Sequence, residues 1–190
     1  MIRLFTALEI PDEIAERLTP LQRGIEHARW IESENFHITL RFIGDVPENI
    51  ADDIDTELAR IPFKPLTLTL EGVGAFGGAE PHAIYASVRP DANLTILQGR
   101  HESAMRRVGM KPDSQNFTPH VTLARLPRRI DLGEVFSFVA EHNLLATPTF
   151  VVPRFILYSA KEKTGGGPYV KERAYPDGVY ADDLTPDVDE

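Results

Sequence analysis

Two tetrapeptides could do chemistry: His37-Ile38-Thr39-Leu40 and His120-Val121-Thr122-Leu123. In an extended strand, residues i and i+2 share a face. His37 and Thr39 then point one way while Ile38 and Leu40 enter a core. His120 and Thr122 repeat this over Val121 and Leu123. Imidazole titrates near pH ~6.5, so one histidine can accept a proton while a second donates one. Such a pair suits displacement at phosphorus. One imidazole deprotonates water, the other protonates the departing alkoxide, and threonine hydroxyls hydrogen-bond the non-bridging oxygens. A lone H-x-T says little; its appearance twice, at matching places, says more. Arg41 shares the face of His37 and Thr39 under strict alternation, and would add positive potential to the cleft.

Competing chemistries find less support. Two histidines without a carboxylate ligand pattern make a poor zinc set, and H-E-x-x-H is absent. There is no G-x-S-x-G elbow and no Walker A sequence. The run G-V-G-A-F-G-G at 72–78 follows a strand but opens no amphipathic helix, so it reads as a loop. The chain has no Cys, which excludes disulfides, iron–sulfur clusters and thiol nucleophiles. No metal and no cofactor is expected.

The elements that must position the motifs are written twice. L-F-T-A-L-E-I-P-D, a helical stretch and N-F-H-I-T-L are followed by I-Y-A-S-V-R-P-D, a helical stretch and N-F-T-P-H-V-T-L. Pro11-Asp12 matches Pro90-Asp91, and Asn35-Phe36-His37 matches Asn116-Phe117 and His120. The repeat reads as a single duplicated domain over 1–190, with lobe-forming halves at about 1–75 and 80–160. In the first half, strands are expected at 2–9, 36–43 and 65–71, with helices from 12 to about 27 and from 48 to about 61. Gly44-Asp45 reads as a turn, and the glycines of 72–78 as the boundary between halves. The second half reads as strands 83–89 and 119–125, helices 92–108 and 131–142, and a strand over 148–159, single or broken at Pro153. A Gly165–Pro168 loop precedes a closing strand at 169–175. The fold class is α+β: antiparallel sheets lining a central groove, helices outside.

Composition bounds the rest. The 190 residues are 42% hydrophobic and 26% charged, as in globular proteins. The net charge of −9 disfavours non-specific coating of nucleic acid. Part of it sits in a tail with Asp182, Asp183, Asp187, Asp189 and Glu190, read as a frayed end. Basic residues gather at Arg106, Arg107, Lys111, Arg125, Arg128 and Arg129, a solvated face or one turned to phosphate. No apolar run approaches ~18 residues and no signal peptide is evident, so a cytoplasmic chain without membrane contact is expected, as a monomer. Trp30 reads as a core or lobe-interface residue, and His27, His82, His101 and His142 have no partner in the repeat.

These features together resemble the two-histidine phosphoesterase superfamily, and within it the bacterial and archaeal RNA 2′,3′-cyclic phosphodiesterases (LigT-like, historically called 2′-5′ RNA ligases). The resemblance runs from R-L-F-T-A-L-E-I-P through Trp30, H-I-T-L-R-F-I-G-D and N-F-T-P-H-V-T-L-A-R to F-I-L-Y-S. It implies a bilobal α+β fold with a V-shaped groove. It implies metal-independent hydrolysis of a 2′,3′-cyclic phosphate to a 2′-phosphate, with His37 as proton donor and His120 as proton acceptor. The implied partners are RNA termini or nucleotides bearing that phosphate. Arg125 matches the arginine after the second motif, although strict alternation turns it away from Thr122 unless the strand ends or bulges. Phe42 matches an aromatic that can stack on a base, although alternation places it with Ile38 and Leu40 on the core side. Alternatives are another small cyclic phosphate as substrate, reversible 2′-5′ RNA ligation, or a non-catalytic module that binds RNA ends.

Overall fold

A computed structural model describes residues 1–161 and 166–176. The acidic tail residues and Gly165 of the Gly165–Pro168 loop lie outside the described residues. The order of elements is β1 (Ile2–Glu9), α1 (Asp12–Leu18), β2 (Arg29–Trp30), β3 (His37–Val46), α2 (Glu48–Ala59), β4 (Leu66–Leu68) and β5 (Leu70–Phe76). It continues with β6 (Ala83–Val88), α3 (Ala92–Arg107), β7 (His120–Arg125), α4 (Leu132–His142), β8 (Phe150–Val152), β9 (Phe155–Ala160) and β10 (Tyr169–Tyr175). This is the α+β class read from the sequence.

Eight strands form one antiparallel sheet in the order β10-β9-β1-β3-β7-β6-β5, with β2 added to β7; β4 and β8 pair separately. The two motif strands, β3 and β7, are neighbours at its centre. On either side the sequence halves interleave: β9 of the second half lies against β1, and β5 of the first lies against β6. Each wing of the sheet thus contains strands from both halves. Helix α3 packs on β3 and α2, and α4 packs on β5.

Local chemistry explains most elements. The Asp91 side chain accepts Leu94 N–H at 2.8 Å to start α3, and Asp131 accepts Gly133 N–H at 2.7 Å to start α4. The first helix ends at Leu18 rather than near His27, because Pro20 cannot supply a helical N–H and the chain passes into a 3₁₀ turn over Thr19–Leu21. The strand over 148–159 divides into β8 and β9 around Pro153. Gly44-Asp45 is not a turn but part of β3, with Gly44 opposite Leu4.

The expected loop at 72–78 is largely strand β5. Gly72 takes φ +80 where the register against β6 slips, and Gly74 lies under the Tyr85 ring, where a Cβ would stand 2.6 Å from Tyr85 Oη. These glycines permit a bulge and a close approach rather than ending a strand.

His101 belongs to the core. It is fully buried on α3, its Nδ1–H donates to Leu97 O at 2.9 Å, and its ring meets Phe155 edge-on at 4.5 Å. Burial lowers its pKa to about 4, against the opposing effect of the Leu97 bond. The ring is neutral in the fold but binds a proton once unfolded below pH ~6.5. Its contribution to stability is therefore intact above that pH and drains away as pH falls toward 4. Thermal melts of wild type and His101→Leu should diverge in slope between pH 7 and 5, by roughly 2 kcal/mol at pH 5. Equal slopes would show that His101 does not carry this dependence.

Candidate active site

Strands β3 and β7 share one register pair, Ile38 opposite Val121, and both side chains are fully buried. Extending that antiparallel register by one residue sets His37 opposite Thr122 and Thr39 opposite His120. All four side chains then stand on the face opposite the core. His37 and His120 become diagonal neighbours, with Cα atoms roughly 7–8 Å apart. The two H-x-T faces thus meet at the centre of the sheet.

Each imidazole is oriented in the same way. His37 Nδ1 lies 2.8 Å from Asn35 O, and His120 Nδ1 lies 2.6 Å from Thr118 O. A carbonyl can only accept, so both Nδ1 atoms carry hydrogen. The exchangeable proton of each ring therefore resides on Nε2. Around His37 stand Phe5 at 5.1 Å, Tyr169 at 5.2 Å and Tyr158 at 6.3 Å between ring centroids. Around His120 stand Phe76 at 4.7 Å and Tyr85 at 5.5 Å. Sequence reading missed all five rings. Phe5 and Tyr85 lie on strands beside the motif strands, while Tyr158, Tyr169 and Phe76 lie on strands further out, and only the pairing register reveals their faces.

Burial pushes His37 down to about 4; its bond to Asn35 opposes this, and His120 and Arg125 add to it. Burial also lowers His120, with Arg125 contributing and the Thr118 bond opposing. Both rings are neutral near pH 7 when no anion is present. Burial, with Glu9 nearby, raises the Tyr158 hydroxyl, which stays protonated.

Both motif strands bulge at the same place. Between Thr39 and Arg41 the register against β1 slips at Leu40, and between Thr122 and Ala124 the register against β6 slips at Leu123. Each slip buries two consecutive residues, Leu40 with Arg41 and Leu123 with Ala124. The next residue, Phe42 or Arg125, returns to the histidine side. This corrects two expectations based on strict alternation. Phe42 is not in the core: it is 49% exposed and pairs with Phe5, which touches His37. Arg41 is not in the cleft: it is 6% exposed and faces Glu102 on α3 at 2.7 Å. Arg125 does meet the condition set for it, since the strand bulges. Its charge acts on both histidines, and its buried Nε has no hydrogen-bond partner among the described residues. Trp30 packs on the core and against Phe138 of α4 at 5.8 Å.

Among the described residues, no group of three or more His, Cys, Asp or Glu side chains converges as a metal site. No described helix is long and apolar enough to cross a membrane.

The sequence profile of the LigT like Phosphoesterase family matches residues 8–85 and 87–169. An RNA 2′,3′-cyclic phosphodiesterase from Aeropyrum pernix is 40% identical over 131 residues, 66% of this chain and 74% of that protein. One from Archaeoglobus fulgidus is 32% identical over 132 residues, 67% of this chain and 74% of that protein. Among solved structures, Escherichia coli LigT complexed with 3′-AMP superposes with a TM-score of 0.74 at 23% identity, covering 92% of this chain and 97% of that one. The profile spans both histidine motifs and the strands that carry them, so the chain belongs to the LigT like phosphoesterase family.

Proposed function

We propose that this protein hydrolyses 2′,3′-cyclic phosphates at RNA or nucleoside ends to 2′-phosphomonoesters, without a metal ion. One observation carries the reading: two imidazoles, each with Nδ1–H tied to a backbone carbonyl, present Nε2 to the same face. His120 Nε2 takes a proton from water as its oxygen attacks phosphorus. His37 Nε2–H gives its proton to O3′ as the P–O3′ bond breaks, leaving the phosphate on O2′. These roles follow the family resemblance. Thr39, Thr122 and Arg125 hydrogen-bond the non-bridging oxygens, where negative charge grows. The curated relatives named above are RNA 2′,3′-cyclic phosphodiesterases, and E. coli LigT has also been crystallised with phosphate. The proposal extends to a cytoplasmic monomer acting on RNA termini, consistent with a chain free of Cys.

His37→Ala and His120→Ala should each lower kcat by about 10²–10⁴, the usual worth of a positioned acid or base. The assay is turnover of a nucleoside 2′,3′-cyclic phosphate in excess chelator, with circular dichroism confirming the fold. Wild-type activity lost to chelator and restored by one divalent ion would overturn the metal-free reading.

The two lowered histidines also shape the pH dependence. Near neutrality the free protein has its base ready but lacks the acid's proton. A bound phosphate anion favours the charged imidazole and raises its pKa. The alkaline limb of kcat/KM, which reports free protein, should thus lie about one unit or more below that of kcat, which reports the complex. Coincident limbs would rule out proton uptake on binding.

The role assignment has its own test. An aryloxide leaving group needs little protonation. It should restore His37→Ala far more than His120→Ala. Rescue of His120→Ala instead reverses acid and base while keeping the pair.

A further inference from the structure

The two histidines are held alike, but their holders are not equally covered. Thr118, whose carbonyl accepts from His120, is exposed and lines an open pocket of about 760 Å³ with Ser87, Phe117 and Pro119. Asn35, whose carbonyl accepts from His37, is half-buried. Its cover is Gly166-Gly167, at the β10 end of the connection from β9.

Both glycines take left-handed φ values, +85 and +89. A Cβ on Gly166 would stand 2.9 Å from Ile31 Cδ1 and 3.4 Å from Arg29 Nη2. A Cβ on Gly167 would stand 2.5 Å from Asn35 Cγ and Oδ1. The backbone thus lies against the β2 segment and against Asn35 more closely than any other residue allows.

Tyr169 fastens this backbone to the histidine. Its Oη accepts Gly166 N–H at 2.7 Å, and its ring meets His37 edge-on at 5.2 Å and Phe5 at 5.0 Å. β10 is the edge strand, with β9 and β1 between it and β3, so the ring reaches His37 across both. His120 meets only Phe76 and Tyr85, from β5 and β6.

We propose that Gly166, Gly167 and Tyr169 are positioning residues of the reaction: they wall the His37 side of the site off from water and so make two matched histidines unequal. The inference rests on the phosphodiesterase reading above and assigns to that site the residues that separate its acid from its base. A walled imidazole binds a proton weakly, because its charged form loses hydration. It gives that proton up readily once a substrate anion has brought it there. Burial is indeed the leading cause of the low His37 pKa.

The charged and titratable groups facing His37 are His120 and Arg125 of β7, Tyr158 of β9, Tyr169 of β10, and Glu9 of β1, which pairs with Lys171 of β10. Arg29 of β2 lies against Gly166. Gly167 approaches Asn35 instead, so Gly167→Ala disturbs the wall without altering a charge.

The test is histidine titration by ¹⁵N NMR in the full chain, beside the pH profile of kcat/KM on a nucleoside 2′,3′-cyclic phosphate. Gly167→Ala should raise the His37 midpoint by about one unit, tenfold in proton affinity, and leave His120 in place. Tyr169→Phe keeps the ring but removes the acceptor for Gly166 N–H, and should shift His37 in the same direction. The alkaline limb of kcat/KM should follow His37 while the acidic limb stays. If Gly167→Ala does not fold, as its φ of +89 could cause, Tyr169→Phe decides. An unmoved His37, or equal shifts of both histidines, overturns the wall and leaves the phosphodiesterase reading intact. No turnover by folded wild type sinks that reading, while the NMR midpoints still decide whether the wall exists.

Discussion

The pairing of Ile38 with Val121 is the contact on which the rest depends. It joins the two wings of the sheet at a single register position and fixes which faces of β3 and β7 look into the groove. A slip of one residue by either strand would turn its H-x-T face into the core. Burial guards against that slip, because both side chains are fully enclosed and truncating either would leave a cavity costing about 2–5 kcal/mol. The interleaved strands guard it again. With β9 beside β1 and β5 beside β6, neither sequence half can move away without tearing strands from the other wing.

The H-x-T faces were legible because period-two alternation holds from His37 to Thr39 and from His120 to Thr122. It fails one residue later. Leu40 and Leu123 are ordinary strand residues, and nothing local marks them as bulge positions. What turns the chain there is pairing with β1 and β6, decided by residues far away in sequence. Hence the motif histidines could be placed from sequence, while Arg41 and Phe42 exchanged faces. The 72–76 stretch failed for a related reason: glycine has no side chain to show a strand pattern, and its need is set by Tyr85 on the next strand. The interleaving of the halves was equally hidden, since the repeat shows which segments correspond but not which pair.

Placing two imidazoles beside five aromatic rings has an electrostatic consequence. Water that would solvate an imidazolium is displaced, and Arg125 adds a like charge. The unliganded site therefore favours two neutral rings and holds one fixed cation. Such a site is poorly satisfied until an anion arrives, and the orphaned Arg125 Nε expresses the same deficit. On the proposed reading, a phosphate would correct both at once: it would accept from the guanidinium and make a charged imidazole acceptable again. In a chain with net charge −9, this local field confines attraction to the groove.

A two-fold repeated frame has a further difficulty. A site with true two-fold symmetry would accept a cyclic phosphate in either orientation, and water would then attack from the wrong side half of the time. The fold breaks the symmetry at the residue that each bulge returns to the groove side. After Leu123 that residue is Arg125, a cation with an unmet donor; after Leu40 it is Phe42, a ring half open to solvent. The buried residue before each differs in step. Ala124 permits β2 to close over the edge of β7, whereas Arg41 holds the 109–115 segment off the edge of β3. One wing thus finishes as a closed edge with an unmet cation and the other as an open edge with an exposed ring. On the proposed reading, the substitutions that distinguish the copies would therefore also give a cyclic phosphate one preferred direction in the site.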